Sequence, residues 1–502
     1  MIVSKKYLLL FSFILALYAF ALNEYNNHLI RVENPKNEIL NARSLIYNKT
    51  VYSIDNVWYV SQIKNYLQGN GFTVNPKKYN YTVRRTPVYP LFYGLHYIAF
   101  GEESSCFYIR FSQILIYILA TIALFYAAFN FTNSKKVALI AAVLYGFNPS
   151  LVSFLYYTIT EALSPSLVCF LLYFLSLCKK YNRKKDWILA GLFFAIGSLC
   201  RPTIFFSSVG ILFFILYANR KSFRNILMSG LLFAVGAGIF FVPHTVRNYI
   251  VTKGDFILLE KYYGDPMEYG MSNIELRKWI ACWMNPADYS SEVISNNMIL
   301  AICCDSSKTK EMVLESEMQR LPDRALLANT KDDIRNAYAA LYDFYKEKDL
   351  KISKARTDSL EKICLQKIIP LQNEFIKKAP LQYYFVTPIL FVKSVIMQSN
   401  SAQLVFLDNY KGNYLKVGLK LLLYLLNIYL FVALIGCLFF IKRHVEVYEI
   451  VLLFMLINFL YIMFVIKYFE VRYLIPLFPG MYVLGAIFLM EIIHRLKQRL
   501  HF

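Results

Sequence analysis

Two carboxylates in this strongly apolar chain could take part in chemistry. Asp55 precedes Trp58 and Tyr59 in an early polar segment, and Glu161 follows Thr160 between two apolar runs. A carboxylate can act as a general base toward a hydroxyl, and one this close to hydrocarbon is costly unless it is paired or faces a wet cavity. A structural interpretation stays open for both acids, because each could instead cap or begin a helix.

Arginines stand beside the apolar runs at several points along the chain. They are Arg84, Arg85, Arg201, Arg247 and Arg472. A guanidinium can hold a phosphate through two parallel hydrogen bonds, and cations placed there also stabilise the charge that a departing phosphate gains. The alternative is that these arginines snorkel at the headgroup level and that Glu470 and Arg472 form only a surface ion pair.

Some neighbouring residues have a simpler structural explanation. We interpret His244 as an interfacial hydrogen-bonding residue rather than a catalyst. Trp58 and Tyr59 could stack on a bound ligand, but aromatic belts at membrane surfaces have the same composition.

Composition indicates which kind of structure positions these residues. The chain has 502 residues, of which 57% are hydrophobic and 17% charged, and its mean hydropathy is +0.41. Runs of roughly twenty apolar residues satisfy the bilayer core. The net charge of +21 lies mainly in short links between these runs, where cytoplasmic retention explains it better than nucleic acid does. We therefore expect an all-α polytopic membrane protein and no nucleic-acid partner.

The apolar runs predict about ten transmembrane helices. They lie near 7–22, 107–131, 137–153, 163–178, 187–200, 203–218, 226–243, 414–441, 447–467 and 472–492. The basic links that follow the second, fourth, sixth and eighth runs, and the basic tail, all fall on one side. This pattern predicts that both termini are cytoplasmic. The first run could instead be a signal peptide, since Ala19-Phe20-Ala21 resembles a cleavage site, but we favour a retained helix.

Two long polar segments fall outside the membrane in this topology. The first is 23–105, part of a transmembrane core at 1–250. The second, 251–413, has apolar residues at helical spacing in its middle and predicts a packed helical domain. Residues 414–502 then form the last helices and a cytoplasmic tail. We expect the apolar stretch 381–398 to lie in the outer interface rather than to span.

Cysteine spacing shows no metal-site pattern. The outer segment holds Cys282, Cys303, Cys304 and Cys364. These could form disulfides in an oxidising compartment.

The order of the polar motifs resembles that of the GT-C fold glycosyltransferases, especially the protein O-mannosyltransferase-like group that includes the lipid A aminoarabinose transferases. Those enzymes have an acid followed by a Tyr in the first outer loop, as in Asp55-Asn-Val-Trp-Tyr59. The family often has a second acid where this chain has Asn56. The further matching motifs are Arg85-Thr-Pro87-Val-Tyr89-Pro90, Glu161, Arg201-Pro202, Arg247-Asn248-Tyr249 and Glu470-Val-Arg472-Tyr473-Leu-Ile-Pro476. The stretch from about 256 to 398 matches no motif of the family.

The resemblance implies an inverting transfer of a hexose or pentose from a polyprenyl-phosphate donor to a lipid, glycan or protein acceptor. The reaction would take place at the extracytoplasmic face of the inner or plasma membrane. Asp55 would act as base, Arg85 and Arg472 would hold the donor phosphate, and Glu161 would position the acceptor or a divalent cation. The second-rank phosphate ligands would be Arg201 and Arg247, and the substrate-binding residues Arg84, Tyr59, Glu470 and Tyr473.

Two other classes of protein remain as alternatives. A polysaccharide polymerase or ligase also uses outer loops and arginines, but it would not need Asp55 so early in the chain. A lipid-linked sugar transporter or flippase should carry ionisable residues at mid-membrane and broken helices in repeated halves.

Overall fold

Helices and turns account for the structure, a computed structural model. It describes residues 5–33, 56–74, 76, 83, 85–260, 270–285, 295, 297–299, 301–302, 309–349, 354–401, 404–407, 412–466 and 471–500. No strand occurs within these ranges. The prediction of an all-α fold is therefore confirmed for them.

The helices are numbered along the chain. The first group is α1 (Lys5–Glu33), α2 (Asn56–Leu67), α3 (Val88–Thr132), α4 (Lys135–Gly146), α5 (Pro149–Phe154), α6 (Ser164–Tyr181), α7 (Lys184–Cys200), α8 (Ser207–Ala218) and α9 (Phe223–Val251). The middle group is α10 (Gly270–Trp283), α11 (Lys310–Gln319), α12 (Lys331–Asp349), α13 (Lys354–Lys378) and α14 (Thr387–Ile396). The last group is α15 (Tyr414–Gly436), α16 (Ile441–Tyr461) and α17 (Phe478–Leu500).

The chain divides into two compact units. The first unit comprises Met1–Asp265, Ser399–Asn458 and Val471–Phe502. The second unit comprises Pro266–Gln398 and Phe459–Glu470.

Among the described residues, six helical stretches are long and apolar enough to cross a bilayer. They are Lys6–Leu29, Ser104–Thr132, Thr160–Tyr181, Phe223–Val251, Tyr414–Phe439 and Ile475–Arg499. Pro202–Ala218 and Tyr448–Phe464 are shorter apolar helices. The polytopic character is confirmed, whereas the count of about ten spans stays a prediction.

The expected single helix at 137–153 is wrong, because the chain breaks between α4 and α5. The Asn148 side chain accepts a hydrogen bond from the Leu151 amide at 3.0 Å and so caps α5, and Pro149 takes the first helical position. An Asn-Pro pair favours a new helix start over continuation, since proline cannot donate to the preceding turn.

A second break lies within α3 at Gly101, whose φ of 73° is in the left-handed region. The part before it holds Leu91, Leu95 and Ile98 exposed on one side, while Tyr89 and Tyr93 are fully buried on the other. Glycine adopts this backbone conformation at little cost, which allows the change of direction before the span Ser104–Thr132.

Helices α7 and α9 approach each other closely through two glycines. A Cβ added to Gly191 would lie 2.0 Å from the Phe233 carbonyl oxygen, and one added to Gly236 would lie 2.0 Å from the Ile188 carbonyl oxygen. Small residues permit such backbone contact between membrane helices. These glycines fix the separation of the helix that leads to Arg201 from its neighbour.

The second unit has its own apolar core. Along α12, Ile334, Ala337, Tyr338 and Leu341 are buried at helical spacing, as expected for one face of an amphipathic helix. The Trp279 indole donates to the Asn329 side-chain oxygen at 2.9 Å.

The cysteines of the second unit take part in this packing. Cys282 and Cys364 are buried thiols without a disulfide. The expectation of a disulfide is therefore not met for this pair, while Cys303 and Cys304 lie outside the described residues.

Candidate functional site

Glu161 is a buried carboxylate held by neighbours from several elements of the first unit. It lies in the 3₁₀ turn Thr160–Ala162, just before α6, and is 3% exposed. Its Oε1 lies 2.6 Å from Nη1 of Arg201, and its Oε2 accepts a hydrogen bond from the Thr160 hydroxyl at 3.0 Å. Arg201 Nη1 also donates to the Thr160 hydroxyl at 3.3 Å. The ion pair and these hydrogen bonds offset the desolvation of the carboxylate.

Arg201 reaches Glu161 because the chain turns sharply after α7. Its backbone is extended, and Pro202 begins the 3₁₀ turn Pro202–Phe206. The guanidinium carbon lies 5.7 Å from the centre of the Tyr473 ring. The side chain is 9% exposed. This guanidinium is therefore largely enclosed by Glu161, Thr160 and Tyr473.

Arg472 is the second arginine at the same carboxylate. It lies in the 3₁₀ turn Val471–Tyr473, and its Nε is 3.9 Å from Glu161 Oε1. Its side chain is 28% exposed. Arg472 therefore lies at the limit of an ion pair and is more accessible than Arg201.

Arg85 and Tyr59 form a neighbouring cluster. The Arg85 guanidinium carbon lies 5.6 Å from the centre of the Tyr59 ring, and that ring lies 5.7 Å from the Tyr89 ring, edge to face. The Tyr89 hydroxyl donates to Gln113 Oε1 at 2.9 Å. Gln113 Nε2 in turn donates to the Leu155 carbonyl at 2.8 Å. This chain of contacts fixes the aromatic surface on which Arg85 rests.

Contacts through flanking residues connect the two clusters. The hydroxyl of Thr86, next to Arg85, donates to the carbonyl of Cys200 at 3.4 Å. The thiol of Cys200 lies 3.9 Å from the carbonyl of Thr160. The residues beside Arg85, Arg201 and Glu161 thus touch one another, although the three are far apart in sequence.

His244 and Arg247 lie at the end of α9. His244 Nε2 is 2.8 Å from the Leu259 carbonyl, and Asn248 Nδ2 donates to the Ile257 carbonyl at 3.0 Å. Arg247 Nη1 donates to Asn248 Oδ1 at 2.9 Å. His244 makes the hydrogen bonds that the sequence interpretation gave it, and it holds the segment that follows α9.

Three predicted site residues lie outside the described residues. They are Asp55, Arg84 and Glu470. Helix α2 begins at Asn56, directly after Asp55.

The described donors do not fit a divalent cation. No group of three His, Cys, Asp or Glu side chains occurs within the described parts of the chain. The Glu161 oxygens already contact a guanidinium and a hydroxyl donor, whereas Ca²⁺ or Mg²⁺ needs several oxygen ligands. No chemical step is therefore assigned to a metal.

Three buried residues of the first unit were not predicted from the sequence to support the site. They are Arg110, Gln113 and Thr160. Arg110 on α3 is buried, forms an ion pair with Glu24 of α1, and lies 4.6 Å from the Phe107 ring centre. A charged or amide side chain within an apolar run is the signal that marks such positions. Thr160 could be found only as the neighbour of Glu161.

Comparison with known proteins gives one family match. Residues 84–246 match the sequence profile of the dolichyl-phosphate-mannose-protein mannosyltransferases. The resemblance drawn from the motifs is thereby confirmed for this segment, which contains Arg85, Glu161 and Arg201. No curated protein sequence matches the chain.

Similar solved structures include two of the oligosaccharyltransferase of Archaeoglobus fulgidus, one with Zn and sulfate and one with an inhibitory peptide and a dolichol-phosphate. They are 13% and 14% identical, both at a TM-score of 0.46, and cover 97% and 99% of this chain. This chain spans only about half of their length, 50% and 52%. ArnT of Cupriavidus metallidurans, bound to undecaprenyl phosphate, is 10% identical at a TM-score of 0.33, over 89% of this chain and 77% of that one. TM-scores of this size are too low to establish a common fold.

Proposed function

We propose that this chain is an integral membrane glycosyltransferase that moves a sugar from a polyprenyl-phosphate donor to an acceptor at the extracytoplasmic face. The observation that carries the proposal is the buried Glu161 with Arg201 and Arg472 at its carboxylate. The mannosyltransferase match over residues 84–246 supports the same class of reaction.

The reaction is a displacement at the anomeric carbon. An oxygen of the acceptor forms a bond to that carbon while the bond to the phosphate oxygen breaks, and the configuration inverts. The polyprenyl phosphate leaves with the electron pair, and the acceptor proton passes to Asp55. Catalysis then depends on a base at the acceptor and on cations at the phosphate, where negative charge develops.

The two arginines at Glu161 take different roles in this proposal. Arg201 is enclosed and tightly paired, so it positions Glu161 and the turn around it. Arg472 is three times as exposed, at 28% against 9%, and its contact with Glu161 is longer. Arg472 is therefore the arginine that moves onto the donor phosphate, and Glu161 serves as its anionic support rather than as a second base.

Arg85 supplies the other side of the phosphate site. The Tyr59 ring limits its conformations, and a guanidinium ordered before binding loses less entropy on binding the donor. Tyr473 contacts Arg201 and would line the sugar site. Arg84 and Glu470 remain substrate-binding candidates, and Arg247 a second-rank phosphate ligand. The acceptor is a lipid, a glycan or a protein.

The test is sugar transfer in membranes that contain the chain and a labelled polyprenyl-phosphate sugar. We expect label in an acceptor with the wild-type chain and none with Asp55→Asn, which keeps the side-chain volume but removes the base. Glu102→Gln, at an exposed carboxylate of α3, serves as the matched control and should retain full transfer. Full activity of Asp55→Asn would remove Asp55 as the base, and no incorporation from any donor would favour a transporter.

A further inference from the structure

The end of the second unit carries an apolar face that the protein leaves exposed. Residues 381–396, called the surface helix here, comprise Leu381, the π-helical turn Gln382–Val386 and α14. Leu381, Phe385 and Ile389 follow one another at four-residue intervals and are 67%, 60% and 63% exposed. Residues four apart lie on the same side of a helix. Large apolar side chains therefore line one side of the surface helix.

The opposite side of the surface helix is fixed to the second unit. Phe391 and Val395 are 3% and 0% exposed. The Thr387 hydroxyl donates to the Cys282 carbonyl of α10 at 2.9 Å. The surface helix is thus packed firmly onto its unit, and its apolar side forms an exposed hydrophobic patch.

The surface helix is too short to cross a membrane by itself. It meets α13 at an angle of 92°. Sixteen residues extend about 24 Å at 1.5 Å per residue, which is shorter than the hydrocarbon core of about 30 Å. Helix α13 cannot supply the rest, since Asp358, Glu361, Lys367 and Glu374 occur along it. The surface helix can lie along a bilayer but not across it.

Lysines stand at both ends of the apolar side. Lys377 and Lys378 end α13 at the bend, and Lys393 is exposed in the last turn of α14. Cations beside an apolar helix face are typical of helices that lie in the membrane interface, where they contact anionic headgroups. The lysine stems can also extend over the apolar surface while the charges stay in water.

We propose that the surface helix binds the outer leaflet of the bilayer, with Leu381, Phe385 and Ile389 among the acyl chains and the three lysines at anionic headgroups. The second unit thereby has its own attachment to the lipid surface, besides its covalent links to the spans. This proposal does not depend on the reaction that the chain catalyses.

The test uses the full-length chain in nanodiscs of phosphatidylethanolamine and phosphatidylglycerol. A photoreactive p-benzoylphenylalanine replaces Ile389, and in the matched control it replaces Gln366, which is exposed on α13. We expect a phospholipid adduct at position 389, by mass spectrometry, at about ten times the yield at position 366. Equal yields, or a crosslink from position 389 to this chain or to a second copy of it, would overturn the proposal.

A second measurement tests the charge contribution. Replacing phosphatidylglycerol with phosphatidylcholine should lower the adduct yield at position 389 by at least about threefold. The triple variant Lys377→Gln, Lys378→Gln, Lys393→Gln should lose this dependence on lipid charge. An adduct yield that stays the same in both lipid mixtures, with the lysines in place, would contradict the role given to them.

Discussion

The charged groups that meet at Glu161 come from three separate turns of the chain. The carboxylate contacts Arg201, which follows α7, and Arg472, which precedes α17. Removing one member of a buried ion pair leaves its partner desolvated and costs more than the net contribution of the pair. Effects on folding and on catalysis must therefore be separated at this position.

Glu161→Gln should destabilise the first unit by about 3–5 kcal/mol and abolish transfer. Adding Arg201→Gln should restore much of the stability, because neither charge is then left buried alone. Transfer should stay low in the double variant, since Arg472 still lacks its anionic support. Thermal unfolding in detergent and the transfer assay measure the two quantities, and recovery of both would assign Glu161 a purely structural role.

Arg472→Lys should lower kcat and kcat/KM together by about 10²–10³-fold, because lysine keeps the charge but loses the planar, two-pronged geometry. An interaction made only in the transition state affects both quantities equally. Arg495→Lys, on the exposed end of α17, is the control and should be neutral. A rise in KM at constant kcat would instead make Arg472 a ligand of the ground state alone.

The site residues were predictable by type, but their contacts were not. Glu161, Arg201 and Arg472 stand out in sequence because charge beside hydrocarbon is costly. Their meeting at one carboxylate depends on tertiary packing, and no local pattern encodes it. Arg110 was missed for a related reason. It lies within an apolar run, and its counterion Glu24 belongs to another helix.

For the secondary structure, the apolar runs of the sequence predicted the helices well but the breaks between helices poorly. The prediction of helix across 137–153 failed at Asn148, where a side-chain cap outweighs hydropathy. The close approach of α7 and α9 through Gly191 and Gly236 also has no signal in hydropathy, because glycine adds little to an apolar average. Local hydrogen bonding and backbone contact, rather than composition, determine these features.

Gly236→Ala should separate α7 from α9, because its Cβ would meet the Ile188 carbonyl at 2.0 Å. Overpacking of this kind typically costs about 1–3 kcal/mol. Gly230→Ala on the same helix meets nothing within 4 Å and serves as the control. Thermal unfolding of both variants in the same detergent gives the comparison, and equal midpoints would contradict the close contact.

Thr330→Ala should lower the stability of the first turn of α12 by about 1 kcal/mol at neutral pH, since it removes a helix cap. The Asp333 amide donates to the Thr330 hydroxyl at 3.1 Å, and that hydroxyl donates to the Asp333 carboxylate at 2.6 Å. The bond from the Thr330 hydroxyl, and a second one that the Thr330 amide donates to the same carboxylate oxygen at 3.2 Å, lower the pKa of Asp333. A lowered carboxyl pKa contributes stability above the usual value of about 4, and this contribution is lost as the pH falls through the folded value.

Hydrogen–deuterium exchange of the first turn of α12 measures this difference between wild type and variant. The difference should shrink below about pH 4 as Asp333 becomes protonated. Ser359→Ala, at an exposed position of α13, is the control. A difference that does not change with pH would separate the cap from the carboxylate.

For the whole molecule, the positive-inside pattern predicts which side each link faces. A cysteine in place of Glu102 should react with a membrane-impermeant maleimide in intact cells, whereas one in place of Lys184 should react only after permeabilisation. Both positions are exposed, so access to the reagent depends on the side of the membrane. The wild-type signal is subtracted, and the reverse pattern would place the basic links outside.

The ion pair between Arg110 and Glu24 has a consequence for how the chain enters the membrane. Helix α1 leaves the ribosome before α3, so the Glu24 carboxylate is already present when the span that contains Arg110 is synthesised. A lone arginine near the end of that span would favour the aqueous channel of the insertion machinery over lipid. We therefore expect the two helices to partition into the bilayer as a pair, with the earlier helix acting as an intramolecular chaperone for the later one.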